Sequence, residues 1–276
     1  MVKISFLVFT RNSENEIGFL LRDVAGIVDE VIVVDGFSND HTVEIARSNG
    51  ARVFSRRPIG YPDPDRKFAF EQINYDWVLY LDTDEKLGSK LKASIRDLVE
   101  KADRDGIAAY SIMRFDLTNK GVPLFGPFPH YQTRIFRKSR VLYRGIVHEP
   151  PQVFGQIRRL PEDFYLLHVP GHSMRKYALY AYLEKMSMTR DHGDLWLGKS
   201  WIESILWALA PLSTLGVYLT CVLISTREKH VNLETLLYTL PFAVYRGIAY
   251  TMMKTRTKSE EMAAREIFQR GVRKVS

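Results

Sequence analysis

Two carboxylates stand where a strongly apolar segment ends: Asp82 and Asp84, in Trp77–Glu85 (WVLYLDTDE). The apolar run is typical of a strand that is buried on both faces, so both side chains are expected at the end of that strand. Carboxylates crowded together repel one another unless a cation lies between them, and Mg²⁺ or Mn²⁺ prefers such oxygen ligands. The pair therefore indicates a divalent metal site that could also hold phosphates. An acidic turn that caps the next helix is the alternative.

Polar residues also follow two other predicted strands. Val33–Thr42 (VVDGFSNDHT) places Asp35 at the end of the second strand, where a carboxylate can bind a base or ribose in the crevice of a doubly wound sheet. The same residue types favour a turn that leads into a helix. Thr10, Arg11 and Asn12 follow the first strand. Because strands one and four are usually neighbours in this topology, we expect all three strand ends to meet at one crevice.

Strands and helices alternate along the first hundred residues, which predicts βαβ units and a mostly parallel sheet. Strands are predicted over Lys3–Phe9, Glu30–Asp35, Ala51–Ser55 and Trp77–Asp82. Helices are predicted after a capping box of Ser13 and Glu16, over Thr42–Asn49, over Asp65–Asn74 and from a Ser89 cap. After Gly106, further strands are predicted over Ala108–Phe115, Gln132–Arg137, Val141–Tyr143 and Phe164–Val169, before a helix over Ser173–Asp191. The fold class is therefore α/β, with a parallel half and a more mixed half.

Composition sets limits on the class of protein. With 276 residues, 46% hydrophobic and 26% charged, the chain can bury a sizeable core, and a disordered or collagen-like chain is excluded. The single cysteine, Cys221, excludes an intramolecular disulfide and a cysteine-based zinc cluster. The net charge of +7 suits anionic partners such as nucleotides or phospholipids, and no nucleic-acid-binding motif is present. Met1–Phe9 is too short and becomes polar too soon for a signal peptide, so we expect the catalytic domain on the cytoplasmic side.

The C-terminal part of the chain contains two apolar segments. Ile205–Ser225 has no charged residue and, at about 1.5 Å per residue, is long enough as a helix to cross a bilayer. Leu233–Met253 is less apolar, and Lys254–Ser276 carries a net charge of +4, which favours the cytoplasmic face of a membrane. We predict a nucleotide-binding domain over residues 1–198 and a membrane-associated helical segment over residues 199–276. Helices that span the bilayer, lie in its interface or close a globular core remain alternatives.

The motifs taken together resemble glycosyltransferase family 2, of the Rossmann-like GT-A fold, over roughly residues 1–185. The family's segment after the opening strand is similar to Thr10–Glu14, its V-V-D-x-x-S-x-D-x-T segment to Val33–Thr42, and its W-V-L-x-L-D-x-D-E segment to Trp77–Glu85. Arg134–Arg137 (RIFR) and Gly145–Glu149 (GIVHE) are similar to a branch of bacterial lipopolysaccharide-core and related cell-envelope transferases. The chain departs from the pattern at position 37, which is Phe where many members have Gly.

The resemblance implies a role for each matching residue. Asp35 would contact the nucleotide base, and Asp40 would assist in binding the base or ribose. Asp82 and Asp84 would hold the ribose and a divalent metal, Mg²⁺ or Mn²⁺, on the diphosphate of a nucleotide-sugar donor. Arg66 and Lys67 stand where family members often contact the diphosphate, and His168 or His172 would complete the metal shell.

Sugar transfer with inversion also needs a base for the acceptor hydroxyl. The pair His148 and Glu149 is the best candidate, with Glu149 as the base; a Glu paired with a neighbouring arginine is the structural alternative. Arg134, Arg137 and Arg144 are candidates for binding an anionic or lipid-linked acceptor, and a lipid phosphate acceptor would need no base. A solvated basic surface explains these arginines equally well.

Three classes of function are therefore compared. The leading one is an inverting, metal-dependent transfer from a nucleotide sugar to a membrane-associated glycolipid, lipid phosphate or envelope glycan. A sugar nucleotidyltransferase usually needs a glycine-rich phosphate loop after the first strand, and Thr10–Glu14 contains no glycine. A non-catalytic, membrane-anchored scaffold is the third, and the intact pair Asp82 and Asp84 argues against it.

Overall fold

The structure is a computed structural model, which describes residues 2–57, 65–117, 123–124, 130–143 and 150–169. The first part alternates strands and helices: β1 (Ile4–Thr10), α1 (Ile17–Val24), β2 (Glu30–Asp35), α2 (Thr42–Ser48), β3 (Arg52–Ser55), α3 (Arg66–Gln72) and β4 (Trp77–Tyr80). The second part contains β5 (Glu85–Leu87), α4 (Ser89–Asp105), β6 (Ile107–Leu117), β7 (Pro123–Leu124), β8 (Tyr131–Arg137), β9 (Val141–Leu142), β10 (Gln152–Val153), β11 (Gln156–Arg159) and β12 (Tyr165–His168).

Ten strands form one mixed sheet, whose main order is β3-β2-β1-β4-β8-β6-β12-β5. Strands β3, β2, β1 and β4 are parallel, and β1 lies between β2 and β4. Strand β8 is antiparallel to β4 and to β6, so the sheet changes character at β8. The predicted α/β class, with a parallel half and a mixed half, is confirmed. The predicted neighbours β1 and β4 are indeed paired.

Strand β1 is central because its side chains are apolar on both faces of the sheet. Ile4, Phe6 and Val8 belong to a core cluster that also includes buried residues of α1, α2 and α4. Leu7 belongs to the cluster on the opposite face, together with Ala69 of α3. This two-sided burial, worth about 1.5–3 kcal/mol for each large apolar side chain, gives the carboxyl end of β1 a firm position.

Both predicted helix caps are wrong in detail. Ser13 Oγ donates to the carbonyl oxygen of Arg11 (3.3 Å) and does not cap α1. The Ser13 N–H, which Glu16 would accept in a capping box, donates instead to Thr42 Oγ1 (2.7 Å) at the start of α2. Gly88, and not Ser89, occupies the cap position of α4.

Strand β5 was not predicted, since three residues of mixed polarity show no period. It pairs antiparallel with β12, and that tertiary pairing defines it.

Several predicted features lie outside the described residues. They include the helix over Ser173–Asp191, the apolar segments Ile205–Ser225 and Leu233–Met253, and the boundary between residues 198 and 199. Within the described stretches, no helix is both long and apolar enough to cross a membrane.

Candidate active site

The carboxyl ends of β1, β2 and β4 meet at one edge of the sheet. Thr10 is in register with Asp35, and Leu7 of β1 is in register with Tyr80 of β4. The loops that follow the three strands therefore lie side by side, as their polar residues predicted. This is the edge at which doubly wound sheets bind their ligands.

Asp35 shapes the loop after β2. Its carboxylate is only 1% exposed. Both of its oxygens accept the Ser38 N–H (3.1 and 3.3 Å), and Oδ1 also accepts the Ser38 hydroxyl (2.5 Å). The predicted turn is therefore present, and Asp35 is the residue that closes it. The contact between Asp35 and a nucleotide base stays a prediction.

Asp40 joins the loop after β2 to the loop after β1. Its Oδ1 accepts the N–H (3.0 Å) and the hydroxyl (2.5 Å) of Thr42, and its Oδ2 accepts the Glu14 N–H (3.2 Å). Desolvation raises the pKa of Asp40, but the hydrogen bonds from Thr42 and Glu14 outweigh it and lower the pKa overall. Asp40 thus holds the two loops together and caps α2. Its predicted part in binding the base or ribose would follow from that position.

Two residues of these loops have left-handed backbone conformations. Asn12 (φ 51°) donates its N–H to Ser38 Oγ (2.8 Å) and accepts the Asn39 N–H on Oδ1 (3.0 Å). Asn tolerates this conformation, whereas the same conformation at Phe37 (φ 57°) is costly for a bulky side chain. Such a residue costs on the order of 1–3 kcal/mol and persists where the surrounding structure holds it. Here the Asp35–Ser38 turn holds Phe37.

Arg11 and Thr10 lie where β1 passes into the first loop. The Arg11 side chain passes so close to Gly36 that a Cβ at position 36 would lie 3.3 Å from it, which explains the glycine. Thr10 Oγ1 is buried and has no hydrogen-bond partner among the described residues. A buried hydroxyl without a partner is uncommon, and a bound ligand is one way to satisfy it.

Asp82 is ionised and held in place by two side chains. Its Oδ1 accepts the Tyr80 hydroxyl (2.6 Å) and its Oδ2 accepts Arg134 Nη2 (2.6 Å). Burial raises the pKa of Asp82, but the positive charge of Arg134 and the hydrogen bond from Tyr80 outweigh it and lower the pKa to about 2. Each carboxylate oxygen thus accepts one hydrogen bond, and the side chain remains 39% exposed, so lone pairs are left for a ligand. The predicted metal and ribose contacts of Asp82 stay predictions.

Glu85, the third carboxylate of the segment Asp82–Glu85, stabilises the local structure. It is buried, its Oε2 accepts the Asp82 N–H (3.1 Å), and its Oε1 accepts Arg134 Nη2 (2.7 Å) and Arg114 Nη1 (3.3 Å). Glu85 therefore closes the turn that carries Asp82 and Asp84. Neither Glu85 nor Arg114 was predicted to have a role; the position of an acidic residue directly after the pair was the only signal.

Asp84 lies opposite His168. Asp84 Oδ2 is 3.5 Å from His168 Nε2, because β5 and β12 pair with Glu85 opposite His168. His168 Nδ1 donates to Asp116 Oδ1 (2.7 Å), since an ionised carboxylate can only accept. Burial lowers the pKa of His168, but the hydrogen bonds to Asp116 and Asp84 raise it to about 9. Asp116 was not predicted, because its partner His168 is brought to it by strand pairing.

Without a metal, His168 is protonated at neutral pH and its Nε2 pairs with Asp84. A divalent cation at this position would take the place of that proton, with Asp84 as the oxygen ligand and neutral His168 as the nitrogen ligand. Ligating histidines usually donate their second ring N–H to a carboxylate, as His168 does to Asp116, and the other nitrogen then faces the metal. In the part of the chain that the structure describes, no group of three or more His, Cys, Asp or Glu side chains is arranged to hold a metal. Asp84 and His168 would therefore hold a cation together with oxygens of a bound ligand, which is how Mg²⁺ is usually held beside phosphates.

Two guanidinium groups flank the ring of Tyr80. Arg66 lies 4.8 Å and Arg134 lies 4.6 Å from the ring centroid, and Arg66 Nη2 donates to the Tyr80 hydroxyl (3.3 Å). Arg66 is only 8% exposed, whereas its neighbour Lys67 is exposed. Arg66 thus lies near Asp82, with the Tyr80 hydroxyl between them. The contacts of Arg66 and Lys67 to a diphosphate stay predictions.

The structure corrects two of the three predicted acceptor-binding arginines. Arg134 is 7% exposed and is turned toward Asp82 and Glu85, so it belongs to the acidic corner and not to an acceptor surface. Arg137 pairs with Asp103 (2.6 Å) and Asp76 (3.4 Å). It is in register with Trp77, the first residue of β4, and therefore lies at the opposite edge of the sheet. The physical reason is that β8 runs antiparallel to β4. Arg134 therefore lies near the carboxyl end of β4, and Arg137 lies near its amino end.

The remaining predicted residues fall outside the description. Arg144, His148, Glu149 and His172 are not among the described residues. Their expected roles as acceptor contact, catalytic pair and alternative metal ligand stay predictions.

Comparison with known proteins identifies the class. The family described as "Glycosyl transferase family 2" matches residues 5–163. The chain therefore belongs to glycosyl transferase family 2, as the motifs indicated, and its α/β domain with a mixed sheet is GT-A-like. Membership makes the domain a glycosyltransferase domain, the class that uses nucleotide sugars.

Individual relatives agree with this class. An uncharacterized glycosyltransferase of Rickettsia typhi is 39% identical over 112 residues, which are 41% of this chain and 38% of the relative. A dolichyl-phosphate hexose transferase of Haloferax volcanii is 46% identical over 61 residues, 21% of this chain and 26% of the relative. The match covers 38% of the Rickettsia typhi relative and 52% of a second uncharacterized glycosyltransferase, from Rickettsia felis. The chain thus spans about half or less of the length of these relatives.

A solved structure shows the same fold. It is a mannosyltransferase from Pyrobaculum calidifontis in complex with GDP-Man and Mn²⁺. It has a TM-score of 0.54, covers 92% of this chain and 88% of its own, and is 13% identical. At that identity the likeness concerns the fold alone.

Proposed function

We propose that this chain transfers a sugar from a nucleotide-sugar donor to a membrane-associated acceptor, with inversion at the anomeric carbon and with a divalent cation. The observation that supports this most directly is the pair Asp84 and His168, 3.5 Å apart. The pair lies beside ionised Asp82, at the carboxyl edge of the parallel strands.

The donor would lie across the loops after β1 and β2, with its diphosphate toward β4. One side of this crevice would be formed by Thr10, Arg11 and Asn12. The other side would be the loop after β2, which Asp35 and Asp40 stabilise by hydrogen bonds. Arg66 and Lys67 would meet the diphosphate from α3, since Arg66 already lies beside Asp82 through Tyr80. Fixed cations near a diphosphate favour its binding by charge.

Asp84 and His168 would hold Mg²⁺ or Mn²⁺ on the diphosphate. When bound, such a cation neutralises the charge that develops on the departing nucleoside diphosphate. The chain's own residues prepare this position: Asp116 orients His168, and Glu85 closes the turn that carries Asp84. Asp82, ionised at neutral pH, adds negative charge beside the cation.

An acceptor hydroxyl has to lose its proton on the face of the sugar opposite the leaving diphosphate. Among the described carboxylates, Asp116 is unsuited to accept that proton. Burial raises the pKa of Asp116, but hydrogen bonds from His130 and His168 and the charge of Arg114 lower it far below its usual range. Glu149, with His148, remains our candidate for the base.

The acceptor is proposed to be lipid-linked. The matched segment of the Haloferax volcanii relative comes from a protein named for a dolichyl-phosphate substrate, and a phosphate acceptor would be ionised without a base. The apolar segments Ile205–Ser225 and Leu233–Met253 would keep the active site near the cytoplasmic face of a membrane. Arg144 would contact the anionic acceptor, and the product would be a cell-envelope glycan or glycolipid.

A thermal-shift screen of nucleotide sugars, with and without Mn²⁺, tests the proposal. One donor should raise the melting temperature only when Mn²⁺ is present, because a ligand that binds the folded state stabilises it. Asp84→Ala and His168→Ala should abolish that shift. Asp97→Ala, which removes an exposed carboxylate of α4, serves as the matched control and should keep it. A shift that persists in Asp84→Ala, or hydrolysis of no donor by the wild type, would contradict the proposal and favour a non-catalytic scaffold.

A further inference from the structure

Phe37 combines strain with exposure at the candidate donor site. Its backbone is left-handed (φ 57°), and its side chain is 59% exposed. Among the described residues, its ring makes no stacking contact with another ring and no contact with a guanidinium or ammonium group. A large aromatic residue is thus held in an unfavourable conformation with more than half of its surface exposed.

The turn itself does not need an aromatic side chain. It is closed by Asp35, which accepts both the N–H and the hydroxyl of Ser38. Glycine would adopt the left-handed conformation without strain. The turn instead holds residue 37 in a fixed backbone conformation with its side chain exposed. Strained residues of this kind are common at ligand-binding sites.

The place is the wall of the donor crevice. Phe37 stands between Gly36, against which the Arg11 side chain packs, and Ser38, whose hydroxyl oxygen accepts the Asn12 N–H (2.8 Å). Phe37 therefore belongs to the loop after β2 that Ser38 ties to the loop after β1. The oxygens of Asp35, by contrast, are buried and engaged by Ser38.

We propose that Phe37 is the stacking platform for the base of the donor nucleotide. The inference rests on the proposed donor site and adds the way in which the base is recognised. A planar nucleobase covers an exposed aromatic face well, and stacking is tolerant of base identity because every base has a π-face. Binding through Phe37 therefore contributes affinity for the nucleoside rather than a choice between uracil and guanine.

The test measures binding of UDP, GDP and inorganic pyrophosphate to the full chain by calorimetry in the presence of Mn²⁺. Phe37→Gly removes the ring and relieves the strain, Phe37→Asn removes the ring in a residue that tolerates the left-handed conformation, and Phe37→Tyr keeps the ring. Phe154→Ala is the matched control. Phe154 is similarly exposed (57%) but precedes β11, whose first residue pairs with Ile107 at the opposite edge of the sheet.

Phe37→Gly and Phe37→Asn should each weaken UDP and GDP binding about 10-fold or more, the loss expected for one stacked base, and leave pyrophosphate binding unchanged. Phe37→Tyr and Phe154→Ala should bind all three ligands like the wild type. Equal losses for nucleotides and pyrophosphate, or unchanged nucleotide affinity, would overturn the stacking role while leaving the donor site in place. A wild type that binds pyrophosphate but neither nucleotide, or none of the three, would overturn the proposed function as well.

Discussion

Replacing Arg134 with methionine should remove about 3–5 kcal/mol from the free energy of unfolding, the usual effect of removing one partner from a buried ion pair. One guanidinium nitrogen of Arg134 serves Asp82 (2.6 Å) and Glu85 (2.7 Å) together. Without that cation, buried Glu85 keeps only its longer contact to Arg114 (3.3 Å), and Asp82 keeps only the hydrogen bond from Tyr80. At about 2–4 °C per kcal/mol, the melting temperature should fall by roughly 6–20 °C.

The same strand supplies the control. Arg137 lies three residues later on β8, but its ion pairs with Asp76 and Asp103 are partly exposed. Arg137→Met should therefore cost about 1 kcal/mol or less. Equilibrium urea unfolding of the full chain, followed by circular dichroism, measures both variants. A loss in Arg134→Met no larger than that in Arg137→Met would refute the structural role of the buried cation.

Changes in pH and a second substitution sharpen this test. In the wild type, Asp82 has a lowered pKa of about 2, so its stabilising contribution is present above pH 4 and is lost only as the pH falls toward 2. In Arg134→Met the buried carboxylates can take up protons at pH 4, so the difference from the wild type should be smaller at pH 4 than at pH 7. Adding Glu85→Gln should recover part of the loss, because it removes one of the two charges that lose Arg134 as a partner.

Three further predictions address other parts of the domain. Asp116→Asn should weaken Mn²⁺ binding about 10- to 100-fold, because it loosens the support of His168; unchanged affinity in a calorimetric titration would contradict this. Asp29→Asn should cost about 1 kcal/mol at pH 7. Hydrogen bonds from Ile4 and Lys3 outweigh desolvation and lower the pKa of Asp29, so that cost should fade in urea titrations as the pH drops below 4. Gly88→Ala should destabilise the domain by about 1–3 kcal/mol in the same assay, since a Cβ there would lie 2.8 Å from the Tyr165 carbonyl oxygen.

The parallel half of the fold could be predicted because its signals are local and repeated. The strands β1, β2 and β4 are apolar runs that end in polar residues, and parallel strands bring their carboxyl ends to one edge. The convergence of Thr10, Asp35 and Asp82 followed from that rule alone. The capping box at Ser13 is absent, and its N–H donates instead to Thr42 Oγ1 at the start of α2.

The acidic corner was only partly predictable. Asp82 and Asp84 were singled out as a pair, yet the fold separates them: Asp82 faces Arg134, and Asp84 faces His168. Glu85 and Asp116 hold these residues in place. The only signal for Glu85 was its position directly after the pair, and Asp116 had none. Their importance depends on partners that are distant in the chain.

Sequence alone determined the family, the parallel strands and the edge at which the chemistry lies, since these depend on periodicity and on residue types at strand ends. Tertiary structure decided which charged groups meet. Arg134 and Arg137 are similar in sequence, but the direction of β8 sends one to Asp82 and the other to the far edge. Likewise, the pairing of β5 with β12 brings His168 to Asp84. Coulomb energies depend on separation in space, and a local pattern contains no information on that separation.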